Sequence, residues 1–263
     1  MTISDETVRL STGREVDLPF RCEADVAGAL FSADWDALRR VVPDALTPVR
    51  LGPRSGGVVV AGLSYSQAGD FEPYDELAVV VPVARHAVAG VPRLDGGVGG
   101  YVVALPVSTE ASCHLGREVW GFPKTVADVE VRREGVGGDG ADRGDRRDRR
   151  DRRDRRAEWH VDVHEDGERA LSLTVRETRR HSRDVTLDAY TRKDDQLWRT
   201  PVEMVGPAGF GFGLGRVELD VGAGPLAADV RRLGVHRPVG RFTGRLRAHL
   251  AVGEPAAETD GHV

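Results

Sequence analysis

Gly116-Arg117-Glu118-Val119-Trp120-Gly121-Phe122-Pro123-Lys124 is the stretch on which the reading of this 263-residue chain turns. Of 37 basic residues only Lys124 and Lys193 are lysine, and the rest are arginine. The difference is chemical: a guanidinium keeps its charge everywhere, whereas a desolvated amine can shed its proton and become a nucleophile. An ordinary lysine has a pKa of about 10.4, which leaves about four in ten thousand molecules neutral at pH 7. Burial disfavours an ammonium and raises that share. Trp120, Phe122 and Pro123 give Lys124 apolar neighbours of the kind such an amine needs. A free amine attacks a ketone and loses water, and the protonated imine then draws electrons from the adjacent carbon. Carbon–carbon cleavage and proton abstraction become accessible.

Outward from this stretch, short Val- and Leu-rich runs alternate with Gly, Pro and charged turns, which predicts a mainly β protein with antiparallel strands. The expected strands cover about 24–31, 56–66, 76–84, 99–107, 125–132, 157–164, 170–177, 184–191, 210–220 and 237–250. Ser32 to Val41 reads as a helix, opening on a capping residue and placing Trp35, Leu38 and Val42 at helical spacing. Pro225 to Leu233 reads as a second, with proline in the first turn and Gly234 past the last. Glu110 to Gly116 reads as a short helix or turn. The glycine-rich segment Gly209 to Gly215 lacks the lysine and following helix of a phosphate-binding loop and reads as a β hairpin.

Composition narrows the function classes. With 40% hydrophobic and 30% charged residues the chain reads as soluble and globular. Its start, Met1-Thr2-Ile3-Ser4-Asp5-Glu6, is polar, and no apolar run approaches the roughly 20 residues that span a bilayer. A cytoplasmic protein without membrane contact is expected. Cys22 and Cys113 are too few for a disulfide framework or a thiolate metal site and read as core residues. His160 and His164 lack a third ligand, so no metal is expected. Asp142 to Arg156 holds nine Arg against five Asp and no apolar residue. The interspersed Asp and the lack of aromatic residues argue against a nucleic-acid partner. The segment reads as part of a charged loop insertion at about 134–156, in a single domain spanning 1–263, that lengthens a hairpin at little entropic cost.

Gly116-Arg117-Glu118 followed by Pro123-Lys124 resembles the acetoacetate decarboxylase family, whose members carry a Gly-Arg-Glu segment and a Pro-Lys pair with a Schiff-base lysine. Activation of that lysine by a neighbouring cation is an established example in acetoacetate decarboxylase. Asp34-Trp35-Asp36-Ala37-Leu38-Arg39-Arg40-Val41-Val42-Pro43 is similar to the family's early helix, and Tyr74-Asp75-Glu76-Leu77 to the segment bearing its active-site glutamate. A weaker likeness runs through Arg237-Pro238-Val239-Gly240-Arg241-Phe242. The resemblance implies a closed, cone-like antiparallel β barrel with a few peripheral helices, assembled as a homo-oligomer. It also implies a cofactor-independent carbon–carbon lyase that decarboxylates a small β-keto acid of the acetoacetate kind.

On this reading Lys124 is the nucleophile and Glu76 places or shuttles the proton, the alternatives being a structural lysine and an exposed charge at a strand start after Pro73-Tyr74. Tyr74, Trp120 and Phe122 are candidate pocket walls, with the protein core as the alternative for the two aromatic residues beside Lys124. Glu118 and Arg117 are candidates for contacting substrate, a salt bridge or loop anchor being the alternative for at least one. Two departures bear on the reaction. Family decarboxylases usually carry a second lysine after the first, where this chain has Thr125. Their substrate-binding arginine precedes the early helix, where Glu23-Ala24-Asp25-Val26-Ala27 has none and Arg21 is the nearest. Aldolase, dehydratase or cyclase chemistry on pyruvate-like keto acids uses the same imine. A barrel that binds a small oxo compound without turnover is the non-enzymatic alternative.

Overall fold

The run Phe20–Asp34 sets the architecture, because it is buried on both faces. Its residues Phe20, Cys22, Ala24 and Val26 point to one side of the pleat, and Ala27, Ala29, Phe31 and Ala33 to the other. A strand of this kind needs a core on each side, and the chain builds two. The structure is a computed structural model and describes residues 6–85, 87–88, 91–92, 98–135, 157–179, 181–212 and 217–256.

Seven strands close into a barrel: Phe20–Asp34, Ser55–Ala68, Tyr74–Ala84, Val98–Val107, His181–Lys193, Gln196–Phe212 and Val235–Leu250. Six junctions are antiparallel. The seventh, between Val98–Val107 and His181–Lys193, is parallel and rests on two residue pairs, Gly100 with Ala189 and Tyr101 with Tyr190. Among the described residues three short helices flank the barrel: α1 (Trp35–Val41), α2 (Glu110–Trp120) and α3 (Pro225–Arg232). The expected closed β barrel with few helices is therefore what this sequence folds into. Among the described residues no helix is long and apolar enough to cross a membrane.

A second, four-stranded antiparallel sheet is made of Asp128–Glu134, Glu158–Glu165, Glu168–Arg176 and Val217–Val221. Its Val161, Val163, Leu171, Leu173 and Val175 are fully buried in one core with Phe31, Val58, Val60 and Val79 of the barrel wall. Each such side chain contributes about 1.5–3 kcal/mol on burial. The other core fills the barrel, where Cys22, Val102, Leu105, Ala189 and Val202 meet α2 and the hairpin Glu6–Arg9/Glu15–Leu18.

Several element boundaries differ from expectation for physical reasons. Ser32 does not start a helix. Residues 32–34 stay in the strand because Ala33 pairs with both Val235 and Gly56. Asp34 occupies the N-cap position of α1 without a capping bond, its carboxylate instead meeting His236 at 2.9 Å. The expected strand 125–132 divides between Lys124–Val126 in the barrel sheet and Asp128–Glu134 in the second sheet. The expected strand 210–220 divides between the end of Gln196–Phe212 and Val217–Val221. The hairpin read at Gly209 to Gly215 is thus a strand end as far as Phe212, and its last three residues lie outside the described ones. Most of the charged insertion lies outside them too. The strands flanking it pair without a break from Asp128 with His164 to Glu134 with Glu158.

Candidate active site

Strand register brings Lys124 and Glu76 together. The strand Val98–Val107 pairs on one edge with Tyr74–Ala84, setting Val107 opposite Glu76, and on the other with Lys124–Val126, setting Leu105 opposite Lys124. Opposed residues share a face and residues two apart keep it, so Glu76, Val107, Leu105 and Lys124 all face the barrel interior. Two inter-strand spacings amount to roughly 10 Å between the two backbones, a gap that a lysine and a glutamate side chain span together. Lys124 Nζ lies 2.7 Å from Glu76 Oε2, and the side chains are 5% and 6% exposed. Oε2 has no hydrogen bond of good geometry, so this is a close charge contact and not an aligned hydrogen bond.

The strand around Glu76 alternates function with structure. Asp75 turns outward, where its carboxylate accepts the Val131 amide of the second sheet at 2.9 Å. Tyr74 and Glu76 turn inward. The Tyr74 ring lies 5.2 Å from Lys124 Nζ, and Tyr65 from the neighbouring strand stacks on Tyr74 with centroids 4.5 Å apart. The Tyr65 hydroxyl donates to Glu76 Oε1 across 3.4 Å. Burial, with the Glu76 charge as the next cause, pushes both phenols well above their ordinary range, so they remain protonated. Cys22 senses the same pair: burial, then Glu76, pushes its thiol up to about 12, with Lys124 opposing. An inert thiol in the wall follows.

The segment before Lys124 controls where the amine sits. Helix α2 runs to Trp120, further than expected, and ends at Gly121, whose φ of 66° is left-handed and suits glycine. The turn Gly121-Phe122-Pro123 then returns the chain along α2, and the Phe122 amide donates to Gly116 O. A Cβ on Gly116 would stand 2.5 Å from Lys124 Cδ and 2.6 Å from Cε. The helix therefore presents a bare backbone to the lysine stem. Cys113 adds a contact from its thiol to the Lys124 carbonyl at 3.4 Å.

The remaining sequence candidates fall in different places. Trp120 is 2% exposed, packs edge-on against Phe20 and beside Phe122, and donates its indole N–H to Ala251 O at 2.9 Å. Phe122 is likewise buried in the interior core. Glu118 has Ser11 and His114 as partners rather than Lys124, accepting the Ser11 hydroxyl at 2.6 Å and the Ser11 amide at 2.7 Å. The two bonds from Ser11 hold its carboxyl below the ordinary carboxylate range. Arg117 is exposed and borders a depression of about 280 Å³ that Pro123, Lys124 and Thr125 also line. Arg21 is exposed on another cavity, with Glu15, Asp17 and Asp70. Cys22, read from sequence as a core residue, is one, and Tyr65 was not singled out, although period-two alternation from Leu63 marks it as inward-facing. Lys193 donates to the Glu118 carbonyl at 2.7 Å and lies over Trp198. The second lysine thus secures the last turn of α2.

Comparison with known proteins bears on the fold and the lineage. The family described as acetoacetate decarboxylase (ADC) matches residues 8–200. An acetoacetate decarboxylase from Paraburkholderia phytofirmans is 32% identical over 98 residues, which is 37% of this chain and 33% of the relative. The chain thus spans about a third of the length of that relative. The enduracididine biosynthesis enzyme MppR in complex with pyruvate superposes with a TM-score of 0.66 at 16% identity, covering 98% of this chain and 99% of that one. Acetoacetate decarboxylase from Legionella pneumophila superposes with a TM-score of 0.61 at 18% identity, covering 92% and 89%. At such identities these structures attest the fold, and the match over residues 8–200 attests the lineage: the chain belongs to the acetoacetate decarboxylase family.

Proposed function

We propose that the barrel is a Schiff-base lyase that acts on a small β-keto acid, with Lys124 as nucleophile and Glu76 as its proton partner. The observation that carries this reading is the buried approach of Lys124 Nζ to Glu76 Oε2 at 2.7 Å. Glu76 takes a proton from the ammonium, and the free amine adds to the ketone carbon. The carbinolamine oxygen, protonated, departs as water and leaves an iminium. Electrons of the carbon–carboxylate bond flow into that iminium, carbon dioxide leaves, and an enamine remains. Protonation at carbon regenerates the iminium, and water releases the ketone and the free lysine. Tyr74 and Tyr65 wall the cation and hold the carboxylate, and as neutral donors they add no competing charge.

A second reading, aldol or dehydratase chemistry on a pyruvate-like keto acid, is favoured by Thr125, which stands where family decarboxylases usually have a second lysine. The likeness to an enzyme captured with pyruvate supports the same reading. Both share the imine and part afterwards. The test is borohydride trapping with acetoacetate and with pyruvate, read by peptide mass. With only two lysines in the chain the adduct is assigned without ambiguity. The expected result is a reduced adduct on Lys124 that is absent from Lys124→Arg. Carbon dioxide release from acetoacetate selects decarboxylation, and pyruvate trapping without it selects the second reading. An adduct confined to Lys193, or none with either ketone, would overturn the imine.

A further inference from the structure

The barrel is most open on the edge that carries its parallel junction. The strand Val98–Val107 pairs along one edge with Tyr74–Ala84, so its other edge serves two partners. That edge holds His181–Lys193 at Gly100 and Tyr101, and Lys124–Val126 from Leu105 onward. Between these pairings lies a cavity of about 360 Å³, floored by Tyr101 and by Gly121 and Pro123 of the turn that delivers Lys124. Three arginines line it: Arg40 just after Arg39 in the last turn of α1, Arg232 in the last turn of α3, and Arg192 on the barrel strand.

Two of these three cations are without a local carboxylate partner. Arg232 meets Asp229 at 2.9 Å, but Arg40 and Arg192 have no carboxylate within ion-pair distance among the described residues. Asp44, which lines an adjoining cavity with Arg40 and Arg192, is engaged by Arg39 at 3.5 Å, and Asp195 lines the same cavity. Some other surface arginines do find carboxylates, as Arg132 finds Asp162, Arg169 finds Asp220 and Arg245 finds Glu23. Arginines that line one concavity can bind an oxyanion through forked N–H donors. We propose that this cavity is a binding site for a ligand bearing a doubly charged oxyanion, held by Arg40, Arg192 and Arg232 with the Tyr101 hydroxyl as a further donor. That charge type is common to a phosphate ester and a dicarboxylate. Tyr101 suits the role because burial raises its phenol above the ordinary range, with the charges of Arg192 and Arg232 opposing, so it keeps its proton and donates.

The site is distinct from the Lys124–Glu76 pair, yet it touches the same turn. Pro123 and Val103 are shared with the depression that Lys124 and Thr125 line, so an occupant rests one residue from the nucleophile's backbone. The competing account is that Arg40 and Arg232 serve only the negative C-terminal ends of their own helices.

Calorimetric titration of the full chain with inorganic phosphate and, separately, with malonate, at fixed ionic strength, decides between them. The expected result is saturable one-site binding of at least one anion, weakened by about tenfold or more in Arg40→Ala/Arg192→Ala and by a few-fold in Tyr101→Phe. Phosphate tighter than malonate points to a phosphate ester, and the reverse to a dicarboxylate. Independently of any variant, the bound anion should protect Arg40 and Arg192 from phenylglyoxal, read by peptide mass. Absence of saturable heat with both anions, or phenylglyoxal labelling that neither anion slows, would overturn the site and leave Arg40 and Arg232 to their helix ends.

Discussion

Lys124→Met is expected to lose about 3–5 kcal/mol of folding stability, because it strands the Glu76 carboxylate in a dry interior with no opposite charge. Glu76→Leu, which strands the ammonium, should lose a comparable amount. The double variant Lys124→Met/Glu76→Leu should recover most of the loss, since a buried ion pair replaced by apolar groups of similar volume is often neutral in stability. Urea denaturation of the four proteins closes the cycle, and the coupling energy is the quantity of interest. Strict additivity would mean that the 2.7 Å contact is not an energetic pair and that another group neutralises Lys124. Neither Lys124→Met nor the double variant should form a borohydride-trapped adduct. Stability and chemistry are thereby separated: the double variant folds well and is inert.

Gly116→Ala should reverse that pattern, harming the chemistry while leaving stability nearly unchanged. Alanine in a helix gains up to about 1 kcal/mol over glycine. Its methyl group, however, would stand 2.5 Å from Lys124 Cδ and 2.6 Å from Cε, inside the contact limit. A solvent-exposed lysine would swing away, but this one is held by Glu76 at its tip and by strand pairing with Leu105 at its backbone. The amine must shift, and a displacement of about 1 Å at a nucleophile costs about 100-fold in rate. Trapping kinetics with acetoacetate should show slower adduct formation with the urea midpoint little moved. A wild-type trapping rate in Gly116→Ala would show that the lysine stem relaxes freely.

The β-rich body was legible because its strands alternate, and its closure into a barrel was what the family resemblance implied. Residues 20–26 place Phe, Cys, Ala and Val between Arg, Glu and Asp, and the run Tyr74-Asp75-Glu76-Leu77 does so with an active-site candidate inside the pattern. Less legible was the Gln196–Phe212 strand, which contains Pro201, Gly206 and Pro207. Prolines within a run speak against a strand, yet the structure sets Pro201 opposite Asp188 and Pro207 opposite Ser182. Tertiary pairing on both sides outweighs the local signal. Lys124 and Glu76 were picked out from the Pro123-Lys124 and Tyr74-Asp75-Glu76 segments as candidates, and the structure brings their side chains to 2.7 Å. Their contact was not readable from spacing, because it depends on a third strand that holds Val107 and Leu105 in register between them. The role of Lys193 was hidden for a similar reason, since its target is the backbone of a helix 75 residues away.

The doubly buried wall Phe20–Asp34 bears on how the molecule comes apart. The strands Phe20–Asp34, Ser55–Ala68, Tyr74–Ala84 and Val98–Val107 contribute to both cores, the one inside the barrel and the one in which the second sheet is buried. Neither half can shed its partner without exposing the shared strands, so partial melting has no stable halfway point. The surroundings of Lys124 and the remote sheet therefore form one cooperative unit, and the burial of its amine is backed by the stability of the whole fold instead of by a local patch of contacts.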